Sequence, residues 1–159
     1  MPSPTSERQS AVSPLKAHLG FWMRLVSNQV SHSFARKLEA TGVTVAEWVV
    51  LREMSGGNAT TSPSTIAELT GLSRGAVSKL IERLLRKGYV TRQDSSADRR
   101  RQDIKLTPSA VALVPRLAKL ADENDEAHFG VISPGERHAL RKTLIRIADL
   151  NHFSKPPIE

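Results

Sequence analysis

The stretch STIAELTGLSRGAVSKLIERLLRKGYV, residues 64–90, decides the fold. A helix-turn-helix needs a small residue where its first helix packs on the second. It also needs a residue that tolerates left-handed dihedrals at the tight turn, and aliphatics on the inner face of the second helix. Ala67 is the small residue, Gly71 lies four positions on, Val77 ten on and Leu80 thirteen on. The spacing predicts one helix from Ser64 to Thr70. A second is predicted from an N-cap at Ser73 to Lys87, with Val77, Leu80, Ile81, Leu84 and Leu85 as its buried stripe and Gly88 as its end. Ordinary amphipathic helices joined by a turn would match all four positions only by coincidence.

With that stripe turned inward, the outward face that follows Ser73 shows Arg74, Gly75, Ala76, Ser78 and Lys79. Arg and Lys suit guanine O6 and N7 or a phosphate, Ser donates to bases or phosphates, and Gly and Ala permit close approach in a major groove. The N-terminus of a helix itself favours phosphate. Read this way, residues 73–79 form a recognition surface for double-stranded DNA. The competing reading of each residue is plain solvent exposure.

Downstream, Tyr89 to Arg92 and Asp103 to Leu106 read as two short strands joined by a polar tip, with Ile104 and Leu106 alternating with charged residues. The tip carries Asp98, Arg99, Arg100 and Arg101. A basic hairpin beside a recognition helix is a wing, and arginine at its tip suits a narrow, electronegative minor groove. Asp98 would repel phosphate, so its expected role is to hold a neighbouring arginine in place through a charge-assisted hydrogen bond.

Upstream, Thr44 to Glu47 is a capping box that opens a helix through Trp48, Val49, Leu51 and Met54, and Ser55 to Ser62 reads as a loop with room for a short strand. Before it, Leu15, Leu19, Trp22, Leu25, Val26, Val30, Phe34 and Leu38 recur at helical spacing from Pro14 until Gly42. On the other side Thr107-Pro108 opens a fifth helix to about Phe129, which Pro115 is expected to kink. Ser133 to Glu136 is a second capping box, opening a sixth helix to about Asn151. The expected fold is mainly α with a small β-wing, of about six helices and two to three short strands. A winged helix-turn-helix lobe covers 44–106 and a helical dimerisation lobe covers 14–41 and 108–151. Residues 1–12 are expected to form a flexible arm and 152–159 a frayed tail.

Composition narrows the function. The 159 residues carry a net charge of +7, and the segment from Ser73 to Lys105 alone contributes +6 of it. Such a concentrated basic segment points to a polyanionic partner. With 39% apolar residues the chain can bury a core, and it has no run of 18 apolar residues, so no membrane helix is expected. The polar N-terminus lacks the apolar centre of a signal peptide, which makes a cytoplasmic protein the expectation. The absence of cysteine excludes disulfides, thiolate zinc sites and cysteine redox sensing. The five histidines show no metal-site spacing, and no cofactor is expected. No nucleophile motif, phosphate-binding glycine loop or His-Glu-x-x-His is present, so an enzyme is not expected.

The runs GVTVAEWVVL (42–51), Ile66 to Leu69, Leu72 to Ser78, Leu84 to Val90, Asp98 to Arg100 and Leu106-Thr107 resemble the MarR family of winged helix-turn-helix transcriptional regulators. The likeness extends from about Leu15 to Leu150, and its most specific element is Asp98-x-Arg100 placed eight residues before Leu106-Thr107. The resemblance implies a homodimer built by the first, fifth and sixth helices, whose two recognition helices read a pseudo-palindromic operator. It implies that Arg100 is the minor-groove arginine and Asp98 its orienter. It also implies a repressor released by a small, often aromatic, ligand bound between the lobes. His18, Trp22, Arg24 and Trp48 are the candidates for that ligand, although Trp22 and Trp48 also fit as ordinary core. The alternative is a winged-helix module that binds protein or RNA without operator specificity. The charged outward face argues against it, since protein interface cores are depleted in charge.

Overall fold

Local signals set most element boundaries in the computed structural model, which describes residues 12–57, 60–95 and 102–158. Helix α1 spans Leu19–Glu39 and α2 spans Val45–Gly56. At the start of α2 the Thr44 hydroxyl accepts from Glu47 N at 3.2 Å, and Thr44 N donates to Glu47 Oε2 at 2.9 Å. The short strand β1 (Thr60–Thr61) leads into α3 (Pro63–Thr70), and α4 follows at Arg74–Arg86. Strands β2 (Val90–Asp94) and β3 (Gln102–Leu106) complete an antiparallel sheet of order β1-β3-β2, with Thr61 opposite Ile104 and Val90 opposite Leu106. Helix α5 (Pro108–Phe129) is capped by Thr107 and stays helical through Pro115. Helix α6 (Pro134–Leu150) opens on the Ser133–Glu136 capping box. The architecture is a winged helix joined to long helices, as the sequence predicts.

Two segments depart from expectation. The helical pattern from Pro14 is not one helix: a 3-10 turn at Leu15–Ala17 gives way to an extended His18, and α1 starts only at Leu19. The apolar spacing across the break suits a continuous helix, so periodicity could not reveal it. The Trp22 indole N–H donates to Lys16 O at 2.8 Å, a carbonyl that a continuous helix would give to its own backbone. The second departure is the C-terminal segment, which is packed rather than frayed. Phe153 N donates to Ala148 O at 2.9 Å, and His152 takes φ +57, the left-handed conformation that turns a chain at a helix end. Pro156 and Ile158 beyond it are half-buried.

One core unites the winged-helix elements with the stem. Leu38 of α1, Val50 and Leu51 of α2, Ile66 of α3, Leu80 and Leu84 of α4, Ile104 of β3 and Leu117 of α5 all belong to it. Helix α5 packs on both α1 and α2. The N-terminal half of α1 and all of α6 stay outside this core. Leu19 is 80% exposed, Leu25 46%, Ile145 53% and Leu150 70%, and α6 buries no residue. Among the described residues, no helix is long and apolar enough to cross a membrane.

Candidate nucleic-acid interface

Three residues connect α3 to α4, and each is fixed by its chemistry. Gly71 takes φ +71, a left-handed conformation that costs glycine nothing, and its N–H donates to Ala67 O at 2.8 Å to close α3. Leu72 N donates to Thr70 Oγ1 at 3.3 Å. Ser73 uses its hydroxyl as the N-cap of α4, accepting from Ala76 N at 3.2 Å. The Ser73 side chain therefore serves the cap, although its position at the helix tip is unchanged.

Helix α4 divides cleanly by face. Val77, Leu80, Ile81 and Leu84 are buried and Leu85 is partly so. Arg74, Gly75, Ser78 and Lys79 are exposed and Ala76 is half-buried. The sheet stands beside this helix, with Arg92 of β2 donating to Glu82 Oε1 of α4 at 2.8 Å. Asp98, Arg99, Arg100 and Arg101, which the sequence places between β2 and β3, lie outside the described residues.

Ion pairing sorts the basic residues in a way that composition could not. Glu47 of α2 is wholly buried, with Lys87 Nζ at 2.7 Å from Oε2 and 2.9 Å from Oε1, and Arg83 Nε at 3.4 Å from Oε1. Lys87 Nζ also donates to Gly42 O at 2.6 Å. These contacts tie the C-terminal half of α4 to the start of α2, so that the buried carboxylate has a partner on each oxygen. Arg83, Lys87 and Arg92 are thus engaged within the protein, whereas Arg74, Lys79 and Arg86 have no ion-pair partner among the described residues. The sequence marked Glu47 only as a cap and counted Arg83 and Lys87 as basic excess. A pairing across about forty positions leaves no local signal.

The four ligand candidates do not converge. Trp48 stands edge-on to Phe34, with ring centroids 6.3 Å apart, and lines a cavity of about 270 Å³ with Ser31, Phe34, Val45, Val49, Pro156 and Pro157. His18, Trp22 and Arg24 lie at the other end of α1, exposed and outside that lining. The helical rise puts Trp22 roughly 18 Å from Phe34 along the axis. Trp22 instead packs edge-on against Phe21, at 5.2 Å between centroids. Of the four, Trp48 lines this cavity and His18, Trp22 and Arg24 do not.

Comparison with known proteins agrees with this architecture. Residues 41–101 match the model of the MarR family. A curated relative from Thauera aromatica, described as a putative transcriptional regulatory protein for the hcr operon, is 28% identical over 134 residues, covering 84% of this chain and 80% of that protein. A mutant MarR from E. coli, solved in complex with operator DNA, superposes with a TM-score of 0.71 at 22% identity, covering 81% of this chain and 92% of that one. BpsR of Bordetella bronchiseptica, whose DNA binding is regulated by 6-hydroxynicotinic acid, superposes with a TM-score of 0.73 at 23% identity, covering 87% and 98%. At these identities the structural likeness is one of fold.

Proposed function

We propose, from the match of residues 41–101 to the MarR family model, that the protein is a homodimeric repressor that reads a pseudo-palindromic DNA operator. The observation that carries the reading is the outward face of α4. Arg74, Ser78 and Lys79 are exposed, with no ion pair among the described residues, while the opposite face is locked in the core. The helix enters the major groove by its N-terminal residues, with Arg74 and Lys79 on base edges or phosphates and Ser78 on either. Gly75 and Ala76 let the backbone approach. Asp98 to Arg101 act from the wing, with Arg100 in the minor groove and Asp98 orienting it.

The dimer is formed by the apolar faces of α1 and α6 left uncovered in the single chain, together with α5. Contiguous apolar surface of this kind marks an association site. The effector is a small aromatic molecule held beside Trp48 and Phe34. This cavity lies at the junction of α1 and α2, where stem and winged helix meet, so an occupant there shifts the separation of the two recognition helices. That separation must match about one DNA turn, roughly 34 Å, and a small hinge motion defeats it.

The test is a salt-titrated binding assay on DNA flanking the protein's own gene against scrambled duplex. Specific binding with a steep salt dependence is the expected result. Displacement of the DNA by RNA at equal concentration would overturn operator specificity. Arg100→Ala should weaken operator binding by roughly 1–3 kcal/mol, and an unchanged affinity would remove Arg100 from the interface.

A further inference from the structure

The C-terminal segment forms part of the wall of the cavity beside Trp48. After Leu150, the left-handed His152 sends the chain back across the stem, and Pro156 and Pro157 join Ser31, Phe34, Val45, Trp48 and Val49 in the cavity wall. Both are prolines, which lose little conformational freedom on being ordered. Lys155, just before them, lies over Gly71, the turn residue that leads into α4: a Cβ built on Gly71 would sit 2.8 Å from Lys155 Cδ. One short piece of chain, residues 153–158, therefore touches both the effector cavity and the entrance to the recognition helix.

We propose that residues 153–158 are a built-in strap over this cavity, so that an aromatic ligand enters by displacing Pro156 and Pro157 and thereby lifts Lys155 from Gly71. The proposal rests on the effector reading above for its ligand, but not for the strap itself. The strap competes with the ligand, and apparent affinity is reduced by the fraction of time the strap is closed. It also selects ligands, because a molecule must displace a proline pair from a wall shared with Trp48 and Phe34. Flat aromatic acids or phenols do so by stacking on the indole and the phenyl ring.

The test labels the full-length dimer with 5-fluorotryptophan, which gives one fluorine resonance for each of Trp22 and Trp48. The same chain ending at Phe153 retains the α6 cap and lacks the strap. Truncation should raise the solvent isotope shift of the Trp48 resonance and leave that of Trp22, an internal control, unchanged. An unchanged Trp48 resonance overturns the strap. Full-length protein with Pro156→Ser and Pro157→Ser should behave as the truncated chain does, which covers the case of a truncated chain that fails to fold. Benzoate titrated against both forms should bind the truncated one at least about tenfold more tightly. Equal benzoate affinities would overturn the gating role. If benzoate moves Trp48 in neither form while truncation still exposes it, the strap stands and the aromatic-effector reading fails.

Discussion

Lys79 lies within α4 and Lys87 caps its end, and the structure gives the two lysines opposite work. Lys87 neutralises Glu47, a carboxylate with no solvent exposure, whereas Lys79 is exposed and has no ion-pair partner among the described residues. Removing one partner of a buried pair costs about 3–5 kcal/mol when both groups are buried. Lys87 keeps a third of its side chain in solvent and Arg83 remains on Glu47, so Lys87→Ala should cost less, about 1–3 kcal/mol, measured by urea unfolding. Lys79→Ala should leave unfolding unchanged within about 0.5 kcal/mol. Its effect belongs to DNA binding, where the salt slope should fall by about one if Lys79 neutralises one phosphate. If Lys79→Ala unfolds the protein, or if Lys87→Ala leaves stability intact, the division drawn from the ion pairs is wrong.

At the scale of the element, the α3–α4 turn depends on Gly71. A side chain there meets both a left-handed φ of +71 and the stem of Lys155. The backbone term alone is roughly 1–2 kcal/mol, and the flexible lysine can move aside, so Gly71→Ala should lower stability by about that amount. Thermal unfolding with and without Lys155→Ala separates the two terms. A second junction, between α5 and α6, responds to acid. Glu126 takes two hydrogen bonds from Arg137, at 2.7 and 3.2 Å, and these with the arginine charge hold its carboxyl below the ordinary 4.5. Glu136 is lowered likewise by the backbone and hydroxyl of Ser133. A depressed carboxyl stabilises the fold above its ordinary pKa and loses that contribution as pH falls through the folded value. The protection factors of amides at the start of α6, exchange rates taken relative to the intrinsic rate at each pH, should therefore fall in acid below about pH 4.5, and Glu126→Gln should remove part of that dependence. These elements were legible because their signals are local. Thr44, Ser73, Thr107 and Ser133 each cap the helix that follows, and Gly71 marks its own turn. The division of α4 into a buried and an exposed face followed from the same helical period. The break at His18, the Glu47 clamp and the packed tail were not legible, because each depends on a partner fixed only by the tertiary fold.

At the scale of the whole molecule, two apolar faces stay uncovered within the single chain. Helix α6 has apolar residues along its length and none buried, and it packs little against the rest of its own chain. The apolar residues of early α1, from Leu19 to Val26, are in the same condition. If a second copy covers these faces, Leu144→Asp and Leu25→Asp place a charge in the dimer core and should yield monomers in sedimentation at micromolar concentration. Each chain should still fold, since Leu144 and Leu25 are 40% and 46% exposed within it and contribute little to its own core. The consequence for function is then a matter of valency. If one winged helix binds one half-site, tethering two raises the effective concentration of the second, and the dimer would gain on the order of 10²–10⁴ in affinity with no change at either half-site. The monomeric variants should bind an operator and a single half-site equally, with about half the salt slope of the parent. Retention of the dimer in both variants would assign these faces to another partner. Monomers that still prefer the full operator would mean that the two half-sites are not read by paired recognition helices.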